Sequence, residues 1–68
     1  MVSISEVKKT REDGENKYTL MELRGLSGDD KPTDEIENTK IDNGSIFIEI
    51  DTGKVYMFDL ENTTWEEF

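Results

Sequence analysis

Apolar and polar positions alternate most sharply between Ser45 and Leu60. Ser45-Ile46-Phe47-Ile48-Glu49-Ile50-Asp51 and Lys54-Val55-Tyr56-Met57-Phe58-Asp59-Leu60 are rich in the β-branched and aromatic residues that suit a pleated, packed surface. Thr52-Gly53 lies between them, and Gly53 supplies the positive φ that a tight hairpin needs. If Asp51 pairs with Lys54, Ile50 faces Val55 and Ile48 faces Met57, and Ile46 completes one apolar face. Successive strand residues point to opposite sides, so Phe47, Tyr56 and Phe58 fall on the other face. The ribbon therefore carries large apolar groups on both sides and needs cover on both.

Upstream, Val2-Ser3-Ile4 alternates as a strand does, and the shift to Val7 marks a bulge or the strand's end. Glu12-Asp13-Gly14-Glu15-Asn16-Lys17 is turn chemistry. Tyr18-Thr19-Leu20-Met21-Glu22-Leu23 resumes the strand pattern and Gly25 closes it. Leu, Met, Glu and Arg would tolerate a helix over 18–26, but Tyr18-Thr19 and Gly25 oppose it. Residues 27–35 hold almost nothing apolar, and Pro32 cannot donate to a ladder. Ile36 and Ile41 are the anchors available to this stretch, with a short strand expected near Thr39–Ile41. The turn Glu61-Asn62-Thr63-Thr64 then delivers Trp65. The predicted fold is all-β: a small antiparallel sheet of two β-hairpins joined by a long polar loop, one domain over residues 1–68. Val2, Ile4, Leu20 and Leu23 are expected to cover one side of the second hairpin. Phe47, Tyr56, Phe58 and Trp65 either form a small second core or a partner-binding patch completed by another chain.

Composition narrows the chemistry. At 68 residues, 32% hydrophobic and 37% charged, the chain is small for a free-standing core; domains of this size bury only ~60% of their unfolded surface. It has no cysteine and no histidine, so Ser-His and Cys-His nucleophiles and the commonest metal ligands are missing. Glu49, Asp51, Asp59 and Glu61 flank one hairpin, but a glycosidase pair needs a substrate-sized cleft. Asp29, Asp30, Asp34 and Glu35 are oxygen ligands without the spacing of an EF-hand. Neither a P-loop nor G-x-G-x-x-G occurs. Asn43-Gly44-Ser45 and Asn62-Thr63-Thr64 read as turns rather than glycosylation acceptors. No catalytic residue, cofactor, metal or small-molecule substrate is expected: the chain reads as a non-enzyme. The net charge of −9 opposes direct contact with nucleic acid. No apolar run approaches the ~20 residues that cross a bilayer, and Met1–Glu6 lacks a signal-peptide pattern. The chain is expected to act where it is made.

One likeness gives this a context. Gly25-Leu26-Ser27 with Lys31-Pro32-Thr33, then Asn43-Gly44-Ser45-Ile46-Phe47, Asp51-Thr52-Gly53-Lys54-Val55-Tyr56, Phe58-Asp59 and Glu61-Asn62 ahead of Trp65 resembles small virion-associated proteins of tailed bacteriophages and prophages of Gram-positive bacteria. These are head-associated, fibre-associated or decoration-type components. The similarity covers about two thirds of the chain, and its strongest part is residues 43–65. It implies a virion structural protein, made in the host cytoplasm, that docks on capsid or tail proteins and on copies of itself. Phe47, Tyr56, Phe58 and Trp65 would be contact or core residues, with the loop Gly28 to Glu35 reaching toward a neighbour. The alternative is an acidic phage-encoded inhibitor that mimics DNA and binds a host nucleic-acid enzyme.

Overall fold

The computed structural model describes residues 2–68. They form a single mixed sheet of seven strands: β1 (Ser3–Asp13), β2 (Asn16–Gly25), β3 (Glu35–Ile36), β4 (Thr39–Ile41), β5 (Ile46–Glu49), β6 (Val55–Asp59) and β7 (Thr64–Glu67). No helix occurs among the described residues. All-β character holds, while the purely antiparallel arrangement of two hairpins does not. β1 and β2 pair antiparallel, as do β3 with β4, β5 with β6, and β6 with β7. β2, however, pairs parallel with both β4 and β5.

The parallel pairing follows from what lies between the hairpins. Residues 26–38 carry the chain from the end of β2 back to its beginning, as a parallel connection must. From there Thr39–Glu49 runs alongside β2 as one interrupted course. Tyr18 lies beside Lys40 and Glu22 beside Ile46, so the course gains two residues between its halves. Ser45 fills the interruption: its hydroxyl accepts from the Met21 N–H at 3.2 Å and donates to the Asp42 carbonyl at 2.8 Å. A side chain thus supplies what the ladder lacks, and no buried side-chain N or O among the described residues is left unpartnered.

Two register details depart from the sequence reading. In the second hairpin Ile48 lies opposite Val55, Phe47 opposite Tyr56 and Ile46 opposite Met57. The loop is therefore longer than Thr52-Gly53, and Gly53, with φ 75°, donates its N–H to the Glu49 carbonyl at 2.8 Å. A slip of two residues preserves the side on which the paired side chains fall, but Ile50, expected opposite Val55, leaves the strand and is 63% exposed in the loop. In the first hairpin, register shifts on both sides of Val7 show that the strand continues through bulges instead of ending. Gly14 at φ 65° sits in a two-residue turn.

The first hairpin extends the same sheet and does not lie over the second. Met21, Leu23, Ile41, Phe47 and Phe58 form the buried core, with Val2, Ile4, Ile36, Tyr56, Leu60 and Trp65 packed against it. Leu20, grouped with Leu23 in the sequence reading, belongs to the opposite face, as the alternation of burial along β2 shows. The cover over the core is the segment 26–38 itself.

Candidate functional site

The crossover segment is tied to the sheet at several points. Lys31 donates to Glu49 Oε2 at 2.7 Å, and its ammonium lies 4.4 Å from the Tyr56 ring centroid and 5.0 Å from that of Phe47. Thr52 donates to the other Glu49 oxygen at 2.7 Å. The Trp65 indole N–H donates to the Pro32 carbonyl at 2.8 Å. Ser27 reaches Asp51 through its N–H at 2.9 Å and its hydroxyl at 2.6 Å. Gly25 permits the close approach, because a Cβ there would stand 2.9 Å from Phe47 Cζ. The polar stretch from Ser27 to Glu35 is thus the lid of the core.

These ties account for the carboxylates that flank the hairpin. Hydrogen bonds from Lys31 and then Thr52 hold Glu49 below its ordinary pKa, and those from Ser27 do the same for Asp51. Asn62 lowers Asp59 by bonding it from its side-chain amide and its N–H. Arg11 lowers Asp42 through a two-pronged pair at 2.9 and 3.0 Å, having crossed the sheet over the Tyr18 ring. Each is a structural acceptor within the chain. Among the described residues no group of three or more Asp or Glu is placed to hold a metal ion. A shallow depression of about 240 Å³ lined by Asn43, Gly44, Met57, Phe58, Asp59 and Glu66 falls short of the ~300–1,000 Å³ of small-molecule sites.

The four residues singled out from sequence do come together. Trp65 sits 4.9 Å from Phe58 and 5.8 Å from Phe47, measured between ring centroids, and Tyr56 pairs across from Phe47. Phe47 and Phe58 are sealed at 0% and 1% exposure, while Tyr56 and Trp65 are half-buried under the crossover. Phe47 and Phe58 therefore act as core, and their burial takes them out of reach of a partner. Sequence reasoning missed the lid contacts of Lys31 and Glu49, because nothing local announces a pairing across 18 positions.

Apart from Val7, Leu26 and Ile50, which are exposed elsewhere, the apolar groups left for contact lie on the opposite face of the sheet. Leu20, Ile46, Ile48 and Val55 are half-buried there, Met57 is 38% exposed, and Phe68, whose N–H bonds the Val55 carbonyl, is 73% exposed. Strand contacts among the described residues run between sheet neighbours, so no strand stacks on this face. Compared with protein-family models, curated proteins and solved structures, the chain finds no match.

Proposed function

We propose that this chain is a bacteriophage virion structural protein, a decoration-type or fibre-associated component that acts by non-covalent docking. The observation that carries the docking reading is the open apolar face around Ile46, Ile48, Val55 and Met57. Soluble monomers rarely leave a contiguous apolar patch uncovered, and such patches mark contact sites. The string likeness over residues 43–65 supplies the phage context, and small size with a thin core favours a protein that gains burial by assembly.

The other side of the molecule complements the first. The crossover segment exposes Asp30, Glu35 and Glu37, an acidic surface suited to a basic patch on a shell protein. Capsid or tail proteins are the expected partners. The DNA-mimic reading draws less support, since Asp42, Glu49, Asp51 and Asp59 accept hydrogen bonds inside the chain. Quantitative mass spectrometry of purified particles tests the reading. Many copies per particle are expected; a chain abundant in infected cells and absent from particles would sink it.

A further inference from the structure

The turn between β4 and β5 holds a chemically susceptible pair. Asparagine is a thermolabile residue, because the backbone nitrogen of the next residue can attack its side-chain amide. A side chain on that next residue obstructs the approach, and glycine has none. The chain contains four asparagines and no glutamine, and only Asn43 precedes a glycine. Lys17, Thr39 and Thr63 follow the other three. Gly44 has φ 87°, so the turn itself calls for glycine at this position. Asn43 is exposed, which admits water and hydroxide.

The fold restrains the same pair. The Gly44 N–H, whose nitrogen would attack, donates to the Phe58 carbonyl at 2.9 Å. The Asn43 side-chain oxygen accepts from the Leu60 N–H at 3.1 Å, so the carbon under attack is held as well. The Ser45 N–H closes the turn on the Asp42 carbonyl at 3.2 Å, and Arg11 grips the Asp42 carboxylate from β1. Phe58 completes the frame: its N–H donates to the Ser45 carbonyl at 2.8 Å while its ring is sealed in the core. Both reacting groups are thus committed to β6 and the residue that follows it.

We infer that Asn43–Gly44 is a self-modification site that the native fold keeps closed, reacting only when the 42–45 turn lifts from β6. Once freed, the Gly44 nitrogen loses its proton and bonds to Asn43 Cγ, the Cγ–Nδ2 bond breaks, and ammonia leaves. Water then opens the succinimide ring at either carbonyl, giving aspartate or isoaspartate, with no electron gained or lost. Aspartate keeps an oxygen for the Leu60 N–H. Isoaspartate lengthens the main chain by one methylene, so Gly44 and Ser45 no longer meet Phe58 in register. The lesion then reaches the core through Phe58. The site belongs to the chain itself and holds whether or not the chain docks in a virion.

Incubation of the full chain at mildly alkaline pH, native and unfolded in guanidinium, tests this through released ammonia and peptide mapping. The unfolded chain should yield aspartate and isoaspartate at Asn43. The native chain should react at least about tenfold more slowly, as a reaction routed through local opening does. That slowing should match the hydrogen-exchange protection of the Gly44 amide, which needs the same opening. Asn43→Gln, whose longer side chain disfavours the ring, should release no ammonia over the same period. The purified isoaspartate form should unfold at a lower urea concentration than Asn43→Asp. A native chain that reacts as fast as the unfolded one, ammonia from Asn43→Gln at the wild-type rate, or an isoaspartate form as stable as Asn43→Asp would each overturn the inference.

Discussion

Phe47 and Ile48 are neighbours on one strand, yet one is sealed and the other only half-buried. The same contrast runs across the sheet. On one side, rings from β5, β6 and β7 gather under a lid held by Lys31, Pro32 and Ser27. On the other, Ile46, Ile48, Val55 and Met57 have aliphatic neighbours in their own layer and no second layer. Both faces are apolar enough to be a core. What separates them is a stretch of thirteen mostly polar residues, 26–38, that happens to cross one of them. A covering layer need not be greasy itself if its backbone and charged groups find partners on the rim.

The largest expected effect breaks this contrast directly. Phe47→Ala should cost about 3–5 kcal/mol, as truncation of a buried ring does. Ile48→Ala should cost less, about 1–2 kcal/mol, since its side chain is only partly buried in the single chain. Urea unfolding of both variants gives the comparison; equal losses would mean that both faces are equally buried in a single chain.

A middle-sized effect concerns how closely the lid sits. Gly25→Ala places a methyl 2.9 Å from Phe47 Cζ, 3.2 Å from Asp29 Oδ2 and 3.2 Å from Val2 Cγ2. Overpacking of that sort costs about 1–3 kcal/mol. A neutral result in the same urea assay would show that the lid yields easily and is a loose cover.

The smallest and most graded effect comes from acid. Glu49 and Asp51 hold the lid with carboxyls depressed below their ordinary values of 4.5 and 3.8 by Lys31 and Ser27. A depressed carboxyl contributes stability that is present in full above the unfolded pKa and lost as pH falls through the folded one. The urea midpoint should therefore be level above about pH 5 and decline below about pH 4. Glu49→Gln should flatten part of that decline; an unchanged slope would remove the Lys31–Glu49 clasp from the account.

Much of this architecture was readable residue by residue. Thr39–Ile41 forms the short strand its pattern predicts, Ile36 and Ile41 anchor the polar stretch, and the bulge at Val7 is real. Apart from Ile50, which falls in the loop, the two sets of hairpin side chains separate as the alternation requires, even though the register moved by two. What was not readable was the order of strands. Residues 27–35 look like a solvent loop because their worth lies in distant partners: Asp51 for Ser27, Glu49 for Lys31, Trp65 for Pro32. The hydroxyl of Ser45 bridging β2 and the Asp42 turn leaves no trace in any local pattern either.

Strand character and the partition of side chains between two faces belong to the sequence alone, because extended backbone alternates sides every residue and propensity acts within a few positions. Which face would be closed belongs to the tertiary structure. That choice depends on where a long connection runs and on contacts between residues far apart in the chain, whose loop-closure cost and pairing no local pattern records.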